Sequence, residues 1–179
     1  METKISTKHV LKILYILSWI IFPFLCVDAG TYLFSAGYTH FINHNNADYW
    51  GLSVLYRFDS GYFAAEILLI TIPLVLKAIM FYLIIKILHD KKLDMDNPFN
   101  EALQRFTLMI SILAAGIGLF TMAAVNYTEW LRASVMMPEP GKLHLEGADI
   151  WLFMSAILFI IAQIFKRGVE IQTENQYTI

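Results

Sequence analysis

One cysteine, Cys26, is all that 179 residues contain, so no disulfide can form within the chain and cysteine usage says nothing of redox compartment. Charged residues make up only 16%, and acids and bases nearly cancel to a net −2, which leaves no electrostatic footprint for nucleic acid. There is no Walker loop, dinucleotide fingerprint, nucleophile elbow, CxxC pair or basic run. Hydrolase, kinase, redox and direct DNA-binding roles therefore lack their parts. No cofactor is expected, and an enzymatic role is not favoured.

What the chain has is apolar length. Hydrophobic residues make up 58%, too many for one soluble core of this size to hide. The run from Ala64 to Leu88 is long enough to cross a hydrocarbon core at about 1.5 Å per residue, and it carries Lys77 near its middle. Similar runs elsewhere predict an all-α polytopic membrane protein, a four-transmembrane-helix bundle in one membrane domain, 1–179. The spans are expected at about 10–34, 64–88, 106–127 and 148–166, the outer loops at about 35–63 and 128–147, and the tail at 167–179. The lipid bilayer is thus the first partner.

Orientation follows from the basic residues. Lys4, Lys8, Lys12, Lys86, Lys91, Lys92, Arg105, Lys166 and Arg167 fall at the termini and the short connection, against Arg57, Arg132 and Lys142 in the other loops. Both termini are therefore expected in the cytoplasm. The acids Asp28, Asp48, Asp59, Glu66, Glu129, Glu139, Glu146 and Asp149 fall to the outer face, where Trp50, Trp130 and Trp151 are expected as an aromatic belt. A second reading of the N-terminus is a signal peptide cleaved near residue 29, after Val27-Asp28-Ala29. Against it stand Pro23 and the apolar residues that resume at Tyr32.

Local signals refine the layout. Pro23 is expected to kink or end the regular part of the first helix. Residues 28–63 carry glycines, an Asn/Asp cluster and many aromatics, which suit an ordered loop with one or two short interfacial helices. Asn97-Pro98 reads as the start of the third helix, with Glu101 favourable in its first turn. Ala114 and Gly118 have small-xxx-small spacing, suited to close packing inside the bundle or to a homodimer face. Pro138-Glu-Pro-Gly enforces a turn.

The tail Ile164-Phe-Lys-Arg-Gly-Val-Glu-Ile-Gln-Thr-Glu-Asn-Gln-Tyr-Thr-Ile179, with Asn97-Pro98-Phe99, resembles a bacterial family of four-span membrane proteins catalogued as a domain of unknown function. Its members end in a similar pattern and are often encoded beside a small Cro/CI-type helix-turn-helix protein. The resemblance implies the bacterial cytoplasmic (inner) membrane and brings no activity with it. Physically, Phe165, Gly168 and Ile171 fall along one side of a continued helix, with Glu174 turned more to water. That stripe either packs on the start of the third helix near Phe99, Leu103 and Phe106, or docks a soluble regulator.

Few side chains invite chemistry. Lys77 at mid-bilayer costs roughly 2.5 to 3.5 kcal/mol on insertion scales, so it needs an interior partner or must snorkel. Pro73 loosens the same helix by freeing the Leu69 carbonyl, and Thr71, Ser111, Ser155 and Gln163 are the candidate polar mates. His40, His44 and Asp48 are spaced i, i+4, i+8 and form a weak metal candidate, since Gly37 and the Asn43–Asn46 cluster argue against one continuous helix. Arg57 and Asp59 are expected to pair across a turn. Two functions remain. One is a sensory or regulatory membrane partner of a small cytoplasmic transcription regulator. The other is a small transporter, channel or membrane enzyme using Lys77, for which internal repeats would have been support and none is seen.

Overall fold

The computed structural model describes residues 7–42, 51–90 and 100–176. It is all-α: α1 (Thr7–Phe41), the short α2 (Ser53–Phe58), α3 (Ser60–His89), α4 (Glu101–Arg132), a 3-10 turn (Pro140–Leu143) and α5 (Ala148–Gln176). The helices α1, α3, α4 and α5 are each long and apolar enough to cross a membrane. The chain is thus an integral membrane protein with four spans. In lipid a helix satisfies its own backbone, which is why four runs of such different sequence share one conformation.

The helices pack in chain order, α1 on α3, α3 on α4 and α4 on α5, so α3 and α4 form the centre and α1 and α5 flank them. Side-chain contacts fix the register. Tyr15 meets His89 and Phe22 meets Tyr82, so α1 runs antiparallel to α3. Ser111 meets Ser155, and Gly118 lies against Leu152 and the Ala148 carbonyl. One end of the bundle therefore carries the start of α1 and the end of α5 (the terminal end), and the other carries α2 and the 133–147 segment (the loop end).

Several expectations need correction. Pro23 does not end α1, which runs unbroken past Gly37 to Phe41. A proline in a helix removes one hydrogen bond, and its fixed φ is helical, so a helix held by its neighbours tolerates it. The cap of α4 is Asn100, whose Oδ1 accepts from Leu103 N at 2.8 Å; Asn97 and Pro98 lie outside the described residues. Arg57 and Asp59 do not fix their turn by pairing. Asp59 instead caps α3, its Oδ1 accepting from Gly61 N at 2.7 Å and Tyr62 N at 3.0 Å, while Arg57 is exposed. Asp59→Ala is expected to cost about 1 kcal/mol through this lost cap, read as a small fall in melting temperature in detergent.

The largest departure is α5. It begins level with Gly118, 14 residues short of the end of α4 at Arg132, or about 21 Å along that helix. The gap beside the loop-end half of α4 is filled by the 133–147 segment, which turns inward and buries Val135, Met137, Leu143 and Leu145 in one core with Tyr32, Leu55, Phe63, Ile67, Ile70 and Leu131. Its apolar side chains pack inward on protein, while Met136, Glu139, Lys142 and Glu146 stay exposed. The segment reverses direction where Gly147 (φ +75°) and His144 (φ +59°) take left-handed conformations.

Trp151 therefore leaves the belt expected of it and sits on the deep start of α5. The aromatic surface at the loop end is built by Phe58, Tyr62, Tyr127 and the exposed Trp130, with ring centroids 5.7–6.2 Å apart. Trp50 lies outside the described residues.

Candidate functional site

The interior is crossed by polar contacts at successive depths. The first lies under the loop-end core. Glu66, one and a half turns into α3, is completely buried, and Thr128 Oγ1 of α4 lies 2.6 Å from its Oε1. The same hydroxyl lies 2.8 Å from the Ala124 carbonyl. Among the described residues Glu66 Oε2 has no hydrogen-bonding partner, nor has Thr39 Oγ1, which stands one turn beyond Ala36 on the face of α1 that packs against this core.

One step deeper, the buried Tyr32 of α1 bonds His144 Nδ1 across 3.3 Å and ties the inward-folded segment to α1. Tyr32→Phe is expected to weaken that tie by about 1 kcal/mol. Limited proteolysis in nanodiscs should then cut the 138–142 stretch several-fold faster.

At mid-height Lys77 of α3 reaches across to α5, its Nζ 5.7 Å from the centroid of the Trp151 ring. Cation–π contacts of this kind contribute about 0.5 to 2 kcal/mol, more when water is excluded. Asp28 is the acid at this depth. The Phe22–Tyr82 contact and the shared groove of Cys26, Ala29 and Ala78 put it opposite about residue 76, at an exposed position of α1. No direct ion pair joins the two; among the described residues the ion pairs are local, Glu101–Arg105, Glu129–Arg132 and Arg167–Glu170.

The proposed mates of Lys77 are engaged elsewhere. Thr71 donates to Ile67 O, Ser111 to Ser155 O and Ser155 to Leu152 O. Gln163 is exposed and lies 12 residues beyond Trp151 on α5, about 18 Å further toward the terminal end, so it cannot share a site with Lys77. Pro73 is buried within α3, one turn from Lys77, as its spacing requires.

The buried stripe of α4 explains why polar contacts line the interior. Thr107, Ser111, Ala114, Gly118, Thr121 and Thr128, small or hydroxyl-bearing, recur at helical spacing among its buried residues, beside Ile110, Ile117 and Leu131. Ala114 and Gly118 are buried on this face, with Gly118 directly against α5, so the homodimer face suggested by their spacing is filled within the chain. The apolar grooves of about 430 and 460 Å³ open sideways between α1 and its neighbours, and neither includes Lys77 or Glu66.

The other candidates scatter. His40 belongs to α1; His44 and Asp48 lie outside the described residues, as does Phe99. Among the described residues no three His, Cys, Asp or Glu side chains gather. Phe165 and Gly168 are half-buried, while Ile171 and Glu174 are exposed on the last turns of α5.

No family model, curated protein or solved structure matches this chain. What the site can do therefore rests on its own geometry. Sequence reasoning missed Glu66, Asp28 and the Tyr32–His144 contact. Glu66 had one available signal: it is flanked by Ala64-Ala65 and Ile67-Leu68, inside the apolar run rather than before it.

Proposed function

We propose that this chain is a sensory or regulatory protein of the bacterial cytoplasmic membrane, with the loop end outside and both termini inside. The observation that carries the reading is the asymmetry of the two ends. The loop end is closed by a segment that turns inward onto an apolar core, whereas α5 continues at the terminal end about three turns past the start of α4. A closed, aromatic-rimmed outer end suits reception of an envelope signal. An exposed helical extension bearing Lys166, Arg167, Ile171 and Glu174 suits a soluble partner. The resemblance of the tail to a family encoded beside small helix-turn-helix proteins supplies the partner's class, a small transcription regulator.

Co-purification of the detergent-solubilised protein, full length against a chain ending at Arg167, tests this. A small helix-turn-helix protein retained by the full-length chain alone is expected. Its absence, or equal retention by both, contradicts the reading.

A second reading, a small transporter or channel, is favoured by one observation: Lys77 and the hydroxyls of α4 place polar groups inside the bundle. The two separate on Lys77→Met. Transport through the interior would be abolished, whereas partner retention is expected to stay within about twofold of the parent, a shift of about 0.4 kcal/mol.

A further inference from the structure

We infer that Glu66 is a proton-binding site, carrying its proton at neutral pH as a neutral carboxylic acid that donates to Thr128. Hydrogen-bond counting leads there. Thr128 Oγ1 makes two short contacts, 2.6 Å to Glu66 Oε1 and 2.8 Å to Ala124 O, but a hydroxyl owns a single hydrogen. If Thr128 donates to the Ala124 carbonyl, as threonines in helices commonly do four residues back, the hydrogen in the shorter contact must come from Glu66. The chain is then Glu66 Oε1–H to Thr128 Oγ1–H to Ala124 O, with every hydrogen used once.

The second oxygen agrees. Glu66 Oε2 is buried with no donor, tolerable for the carbonyl oxygen of a neutral acid and costly for half of a carboxylate. An ionised carboxylate accepts at about four lone-pair sites, and among the described residues the hydroxyl at hydrogen-bonding distance is that of Thr128.

Among the described residues the neighbours supply no compensating cation. On α3 the nearest polar groups toward the loop end are Tyr62 and the capping Asp59; on α4 they are Tyr127, and then Glu129 and Arg132, which bond each other at 2.8 Å. Facing from α1 are Thr39 and, deeper, Tyr32, with Asp28 exposed; α2 brings Tyr56, with Arg57 exposed. The inward segment brings His144, bonded to Tyr32, while Glu139, Lys142 and Glu146 stay exposed. Among the described residues no ion pair reaches Glu66. The inference is independent of any cytoplasmic partner.

Infrared spectroscopy of the full chain in lipid vesicles at neutral pH tests it. The expected result is a carbonyl-stretch band of a protonated carboxylic acid that disappears in Glu66→Gln, shifts in Thr128→Val and stays in place in Thr128→Ser, which keeps the hydroxyl. Glu66→Gln is also expected to melt close to the parent, because the glutamine amide can donate to Thr128 as the acid does; this keeps the test open should Thr128→Val fail to fold. Absence of a Glu66-dependent protonated band, or its replacement by a carboxylate band that Glu66→Gln removes, overturns the proposal.

Discussion

Gly118→Val is expected to destabilise the fold by about 3 kcal/mol or more, at the upper end of what overpacking costs. A Cβ added there would lie 2.7 Å from Leu152 Cγ and 3.0 Å from the Ala148 carbonyl oxygen. The leucine could move, but the carbonyl belongs to the first turn of α5 and cannot. α4 and α5 would have to separate, carrying Trp151 away from Lys77 and breaking the Ser111–Ser155 bond. Gly37 of α1 has nothing within 4 Å of such a Cβ, so Gly37→Ala should leave stability unchanged or slightly raised. Thermal unfolding of the three proteins in one detergent checks the contrast, and equal melting would mean that α5 is not packed on α4 at Gly118.

Leu143→Asp carries the second large effect. Leu143 is completely buried at the end of the 3-10 turn, inside the loop-end core. Removing such a side chain costs about 2 to 5 kcal/mol, and an unpaired carboxylate in its place adds more. The cost falls on the 133–147 segment rather than on the four spans, since a long apolar helix in lipid keeps its own hydrogen bonds. The variant should therefore insert with unchanged helical content while the segment swings out and the Tyr32–His144 contact is lost. Protease added to proteoliposomes should cleave the variant between 138 and 147 at least tenfold faster, and parent-like resistance would mean that the segment is not held by this core.

The four spans were legible in the sequence because bilayer crossing needs only length and apolarity, and both are local properties. The depth of particular residues was not. The charge distribution along the sequence places Asp28 and Glu66 at the outer face. In fact α1 runs to Phe41, with Asp28 at mid-height and Glu66 buried beneath the cap. Trp151 was placed in an interfacial belt because it follows a polar loop, but α5 starts deep, which only the packing of Gly118 on Ala148 reveals. The inward fold of 133–147 rests on Val135, Met137, Leu143 and Leu145, too few and too irregularly spaced to register as a periodic pattern. Asn100 and Asn97 are both credible caps from residue type alone, and the geometry of the first turn chooses between them. What did transfer was the small-residue stripe of α4, whose spacing pointed to close helix packing and whose partner proved to be α5 of the same chain.

Reception at the loop end and docking at the terminal end both require the loop end to face out. In a Cys26→Ser background, Met136→Cys places a thiol at an exposed position of the loop end, and Thr173→Cys places one on the exposed last turns of α5. A membrane-impermeant maleimide applied to intact cells should label the Met136→Cys protein and should reach the Thr173→Cys protein only after permeabilisation. Labelling of the Thr173→Cys protein from outside, with the Met136→Cys protein protected, would turn the molecule over and contradict a cytoplasmic docking end.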